Sequence, residues 1–335
     1  MSADTDADTT PRTAALGPAT GRRLGRTSAT ATGAGRTAGR AANRRPPWQE
    51  RPSVFGLSAK TIAIAVISVL VLYPFVAVLG TSLSSEAEIA RHGGLVLWPA
   101  HPTLAAYRTI FTGGIVTRAV LVSLGITVIG TALSLLITVP MAYALAQKRL
   151  IGRRFFLMTA LFTMMFNPGI IANFLLVTNL GLTDSYWALI LPSLVNAFNL
   201  VILRSFFMGL PQELYDAAAI DGAGDLRMLA TVAVPLSKGV IAVVTLFTAV
   251  AFWNEWFNAL LYLNDSTKWP LAYVLRFYVD SGQSIVPPNI TAEAGIAPQA
   301  VSMATVVVSI VPIVLLYPFL QRYFTRGVLT GAVKG

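Results

Sequence analysis

Glu213-Leu-Tyr-Asp-Ala-Ala-Ala-Ile-Asp-Gly-Ala-Gly-Asp-Leu-Arg-Met-Leu-Ala-Thr-Val-Ala-Val-Pro235 is a polar island between two long apolar runs. Four of the chain's fifteen acidic residues, Glu213, Asp216, Asp221 and Asp225, fall inside it. The stretch predicts a short helix, a sharp turn and a second short helix. Pro211 suits a first helical turn, where its missing N–H costs nothing, and Glu213 puts negative charge near that helix's N-terminus. Leu214, Ala217, Ala218 and Asp221 then share a face at i, i+3, i+4, i+7 spacing. That face is mostly small, so a second backbone can approach it closely. Gly222 supplies a left-handed residue to end the helix, and Pro235 marks the start of the next apolar run. By these residues alone the stretch reads equally as an amphipathic loop between two membrane helices.

Working outward, the composition names the solvent. Of 335 residues, 55% are hydrophobic and only 12% charged, with a mean hydropathy of +0.65. Such a chain is a multi-span membrane protein rather than a soluble domain. Its formal charge of +10 does not mark a nucleic-acid binder, because the basic residues gather on no single folded face. Ten of the twenty-five lie in the first sixty residues and most others flank the apolar runs, as expected where an anionic membrane surface is the partner. No cysteine is present, which excludes disulfides and thiolate metal sites. His92 and His101 are too few for a metal cluster, so no metal is expected.

Residues 1–59 are rich in Ala, Thr, Gly and Arg without apolar periodicity, and read as a disordered, basic cytoplasmic tail. Residues 60–335 hold six apolar runs, each long enough to cross a bilayer: 61–83, 119–146, 155–180, 186–208, 239–263 and 300–324. With both termini inside, twenty of the twenty-five Lys and Arg residues fall on the cytoplasmic side. Five, Arg91, Arg108, Arg118, Lys268 and Arg276, fall outside. The bias orients the chain and places the loop 211–235 in the cytoplasm. Pro74, Pro140, Asn167-Pro168-Gly169, Pro192, Pro312 and Pro318 predict kinks that shape the bundle.

Within the fifth run lies Trp253-Asn254-Glu255-Trp256-Phe257-Asn258. Glu255 is the only acidic residue in any of the six runs. A carboxylate inside a membrane needs a partner or a wet cavity. Trp253 and Trp256 beside Asn254, Glu255 and Asn258 suit a sugar, with aromatic faces for C–H groups and acceptors for hydroxyls. An aromatic belt near the outer helix end, or a charge pairing inside the bundle, accounts for the same residues. The outer segment 264–299, with Trp269, Tyr273, Phe277 and Tyr278, reads as an interfacial loop or an amphipathic surface element.

Asp216-Ala-Ala-x-x-Asp221-Gly222-Ala223, with nine residues from Ala223 to Thr231 inclusive, then Val232-x-Val234-Pro235, resembles the EAA loop of binding-protein-dependent ABC importer permeases. The opening Glu of that pattern is Asp here, which keeps the charge and shortens the reach. Tyr317 to Gly335, Pro235-Leu-Ser-Lys238 and Trp253-Asn-Glu-Trp-Phe-Asn-Ala259 are similar to the carbohydrate-uptake branch, within its oligosaccharide and polysaccharide-fragment subgroup. A proline expected at 239 is glycine. The resemblance covers roughly residues 60–335. It implies an all-α, six-span fold of the type I importer class. It also implies partners: a second, related permease subunit, a cytoplasmic ABC ATPase dimer, an extracellular solute-binding protein and a sugar substrate. Glu213, Leu214, Asp216, Ala217, Ala218, Asp221, Gly222, Ala223 and Pro235 would then couple to the ATPase. ATP and magnesium would sit on that partner and no cofactor on this chain, which has no G-x-x-x-x-G-K-[ST] spacing.

An ion-coupled secondary transporter remains the competing reading, but Glu255 is its single candidate coupling carboxylate. A membrane enzyme would need a nucleophile–base pair or metal set that these residues do not assemble.

Overall fold

The computed structural model describes residues 54–112, 114–166, 168–281, 285 and 295–331, and these contain helices and turns but no strand. The chain divides at Ile62 into two units, and of the first only the opening turns of α1, residues 54–62, are described. Residues 1–53 of the expected basic tail lie outside the described residues.

The helices in chain order are α1 (Val54–Ser82), α2 (Glu86–Arg91), α3 (Ala105–Thr112), α4 (Ile115–Ala146) and α5 (Arg153–Met165). After them come α6 (Gly169–Asn179), α7 (Trp187–Ile190), α8 (Ala197–Met208), α9 (Gln212–Ile220) and α10 (Asp225–Met228). The last are α11 (Val234–Leu236), α12 (Lys238–Trp253), α13 (Phe257–Tyr262), α14 (Leu271–Ser281) and α15 (Pro298–Gly331). Helix α4 is the central column: α8 and α12 pack along it, and α15 closes against α12, α3 and α14.

Three apolar layers follow α4 from one end to the other. Near its start, Val116 and Ala119 meet Ile110, Trp253, Leu271, Val274 and Val301. Midway, Ile126 joins Val177, Leu189, Phe252 and Tyr262. At its far end, Val139 and Tyr143 join Leu200, Leu203, Phe207, Tyr215 and Met228. The outward faces stay apolar: Val66, Leu70, Leu121, Val128 and Leu136 are all exposed. A chain that buries apolar side chains inside and shows others outside is built for lipid rather than water.

Three helical segments are long and apolar enough to cross a bilayer unaided, Ser58–Ser82, Ile115–Ala146 and Pro298–Leu316. The runs expected as continuous helices over 155–180, 186–208 and 239–263 are instead broken. The first stops at Met165 and resumes at Gly169, where Pro168 and the positive φ of Gly169 (85°) interrupt the ladder. In the second, Pro192 lies in a 3-10 turn, Asn196 caps the next helix, and the two halves bend by 44°. The third is α12, which at 16 residues is short for a bilayer, followed by a break at Asn254–Trp256 and then α13. Before it, the α10–α11 segment, with a π-helical turn over Leu229–Ala233, meets α12 at 86°. Breaks inside a membrane bundle free backbone carbonyls that need donors. Ser134 of α4 supplies one, its hydroxyl donating to Leu194 O at 2.7 Å.

Helices α4 and α12 approach closely because of a missing side chain. A Cβ on Gly130 would lie 2.8 Å from Phe252 Cζ, well inside contact distance.

Candidate functional site

The elbow formed by α9 and α10 is built on local rules. Pro211 stands just ahead of α9 in an extended conformation (ψ 130°), so it caps the helix rather than opening its first turn, and its carbonyl accepts from Leu214 N–H at 3.3 Å. Glu213 lies in the first turn, as expected. At the other end Gly222 takes φ +75°. Its N–H donates to Ala219 O and the Ala223 N–H to Ala218 O, both at 3.0 Å. Those paired bonds satisfy the last carbonyls of α9 and reverse the chain into α10.

One side of the elbow is fastened to the bundle. Tyr215 is 8% exposed and sits in the far-end layer with Met228 and Leu229. Its ring lies 6.2 Å from Tyr143, which in turn meets Phe207 edge-on at 5.9 Å. Burial, and next the neighbouring Tyr143, push the Tyr215 phenol above its ordinary pKa. Ala218 and Ala223 are half-buried against the same layer. The predicted shared face is therefore split: Ala218 turns to the bundle, while Leu214, Ala217 and Asp221 stay exposed. Asp225 pairs with Arg149 of the α4–α5 loop.

The other side of the elbow is bare. Glu213, Asp216, Asp221 and Gly222 are exposed, and Gln212 Nε2 donates to Asp216 at 3.3 Å. Ile220 is 87% exposed and Leu226 79%. Two large apolar side chains thus stand exposed on the same elbow as three exposed carboxylates. Pro235 lies apart from this turn, in α11, also exposed.

The second candidate region is divided by the structure. Trp253 is buried and its indole donates to Ser309 O of α15 at 2.9 Å, a bundle contact. Asn254 is exposed and donates back to Val250 O. Trp256 lies under the Arg276 guanidinium, 5.0 Å from the ring centroid. Asn258 gives its backbone N–H to Glu255 Oε1 at 3.1 Å, so Glu255 caps α13. Of the five residues, Glu255 alone lines a cavity of about 530 Å³, with Ser134, Asn196, Asn199, Phe247 and Thr248 among the other walls. Those walls were missed in the sequence, although Pro192 followed by Asn196 is a helix-break signal with a capping residue.

Between α6 and α7, Asp184 holds a knot with the segment that follows α13. It has φ 58°, its carboxylate accepts from Asn264 N and Asp265 N at 3.1 and 3.0 Å, and Lys268 Nζ donates to it at 2.6 Å. The Lys268 contact first, and the Asp265 N–H next, hold the Asp184 carboxyl below its usual range. The same contact raises Lys268.

A family profile described as "Binding-protein-dependent transport system inner membrane component" matches residues 134–330, the segment that contains both the elbow and the cavity. The chain belongs to that permease family. The polygalacturonan/rhamnogalacturonan transport system permease protein YtcP of Bacillus subtilis (strain 168) is 43% identical over 264 residues, covering 78% of this chain and 92% of that one. The arabinooligosaccharides transport system permease protein AraQ of Halalkalibacterium halodurans is 31% identical over 82% of this chain and 95% of its own. Among solved structures, a chain of a bacterial ABC transporter involved in the import of the acidic polysaccharide alginate superposes with a TM-score of 0.78 at 30% identity, covering 83% of this chain and all of that one.

As an ABC importer permease, the chain is a multi-pass protein of the bacterial cell membrane with the helical fold of the type I class. Its family works with an ATPase, a solute-binding protein and a second permease.

Proposed function

We propose that this permease carries an oligosaccharide across the cytoplasmic membrane as one half of a transmembrane pair, driven by an ABC ATPase dimer docked on the loop 211–235. The chain crosses six times, through α1, α4, α5–α6, α7–α8, α12–α13 and α15, with both termini inside. A solute-binding protein delivers the sugar from outside. ATP and magnesium bind the ATPase, and this chain holds no cofactor. Closure of the ATPase pair pulls on the elbow and rocks the bundle from inward- to outward-facing.

The observation that carries this reading is the two-sided elbow: Tyr215, Ala218 and Met228 anchored in the bundle, with Glu213, Asp216, Ile220, Asp221 and Leu226 open to a partner. The relatives named for oligosaccharide and polysaccharide transport support the substrate class. Their names divide between acidic and neutral sugars, so the cargo's charge is a separate question. The test is to purify the tagged chain gently from its own cells. An ATPase and a second permease should copurify, and both should be lost when Ile220→Asp and Leu226→Asp are combined. An ATP-independent, partner-free transporter would overturn the proposal.

A further inference from the structure

We propose that the cavity between α4, the α7–α8 break and the α12–α13 break is a subsite for an uncharged glycosyl residue of the cargo. In it Glu255 accepts from sugar hydroxyls and turns away acidic sugars. The inference rests on the importer reading above and adds the charge of the sugar that this subunit admits.

The volume of about 530 Å³ falls in the range of small-molecule sites, about 300–1,000 Å³. Its polar groups come from three separate elements and point to hydrogen bonding. Glu255 uses Oε1 for the Asn258 N–H, which leaves its other oxygen without a partner among the described residues. Asn199 is only 7% exposed. It donates through its amide nitrogen to Thr248 Oγ1 at 3.3 Å, and its amide oxygen has no partner among the described residues. Both oxygens are acceptors that no described side chain or backbone N–H engages, which leaves them open to a hydroxyl donor entering the cavity. Sugar hydroxyls are donors of the right kind. Phe198 and Phe247, exposed at the rim, offer aromatic faces to the C–H side of a pyranose.

Charge sets the class. No Lys, Arg or His lines the cavity, and no basic residue forms an ion pair with Glu255 among the described residues. A uronate placed there would set a second carboxylate beside the first with no basic side chain on the cavity wall to offset either. The cavity therefore favours neutral rings. This holds although some relatives are named for acidic polysaccharides.

The chain has no cysteine, so Ser193→Cys, on the cavity wall, makes a single reporter in the assembled importer. It is labelled with a cationic and an anionic methanethiosulfonate, and the adduct is read by the mass of this chain. The cationic reagent should react about tenfold faster, and adding Glu255→Gln should remove that preference. Maltotriose or xylotriose should slow labelling while trigalacturonate does not, until Glu255→Gln admits it. Equal rates for the two reagents, equal protection by trigalacturonate, no protection by either neutral sugar, or protection by sodium alone would each overturn the proposal. ATPase copurification and ATP-driven uptake are measured on the same importer without the cysteine. If those fail, the importer reading falls; if they hold while the labelling pattern fails, the subsite alone falls.

Discussion

Tyr215 of the elbow and Tyr143 of the central helix lie with their rings tilted by 39° and their centroids 6.2 Å apart in the far-end layer of α4, and neither hydroxyl has a hydrogen-bond partner among the described residues. The contact is thus one of ring against ring. It joins the exposed elbow to the column around which the bundle is built.

That pairing separates packing from polarity. Tyr215→Phe removes a buried hydroxyl that satisfies no one and keeps the ring, so it should leave stability unchanged or raise it by about 1 kcal/mol. Uptake should persist. Tyr215→Ala removes the ring and opens a void worth about 3 kcal/mol or more. It should lower the melting temperature in detergent and uncouple ATP hydrolysis from uptake. A Tyr215→Phe protein as impaired as Tyr215→Ala would show that the hydroxyl, not the ring, carries the link.

Gly222 tests the turn. The space around it is open, since a Cβ there would meet nothing within 4 Å, so its φ of +75° is what selects glycine. Gly222→Ala should cost about 1–2 kcal/mol of local strain and reduce uptake partially. Gly222→Val and Gly222→Pro should abolish uptake with normal membrane abundance, the proline also losing the bond to Ala219 O. Abundance by immunoblot and uptake in the same cells give the answer; full transport by Gly222→Val would remove the turn from the coupling path.

These two residues also show what sequence could and could not say. The elbow was legible because its rules are local: acidic N-terminal turn, glycine stop, a spacing shared with a known loop. The direction each side faces was not, because burial of Tyr215 and Ala218 depends on α4 and α8, more than sixty residues and nearly ten residues away respectively along the chain. For the same reason Trp253, which looked like a sugar contact, turned out to bind Ser309 O in α15. Asn199 and Thr248, which face each other across the cavity wall, carry no short-range signal at all. The broken spans were half-visible. Pro168 and Pro192 predict kinks in two of them, whereas the run 239–263 holds no proline to signal its break; side-chain bonds from Asn196 and Glu255 to the next helix's first turn accompany two of the breaks.

Gly130 and Phe252 set the spacing of α4 and α12. Gly130→Ala would force a methyl to within 2.8 Å of the Phe252 ring, and overpacking of this kind costs about 1–3 kcal/mol. Because Phe252 also lines the cavity, the displaced ring should narrow it and lower uptake. Phe252→Leu alone should destabilise by leaving a gap, yet combined with Gly130→Ala it should recover much of the lost stability. A double-mutant cycle in thermal melts reads the coupling. Strict additivity would mean that the two helices do not meet there.

The knot at Asp184 predicts a pH profile with two edges. Asp184 has its pKa lowered in the folded chain, by Lys268 first. Its contribution is therefore fully present above the unfolded value of about 3.9 and is lost as pH falls through the lower folded value. Lys268 has its pKa raised, by Asp184 first. Its contribution is full below the unfolded value of about 10.4 and fades as pH rises through the higher folded one. Between those limits the knot should be insensitive to pH. Asp184→Asn tolerates the left-handed backbone but gives up the charge that Lys268 and two backbone N–H groups share. It should therefore lower the melting temperature by the same amount at pH 5 and pH 8, and the gap from the unsubstituted protein should close only in strong acid, below about pH 4. A gap that changes between pH 5 and pH 8 would assign the effect to another titrating group, and no gap at all would mean that the knot ties nothing down.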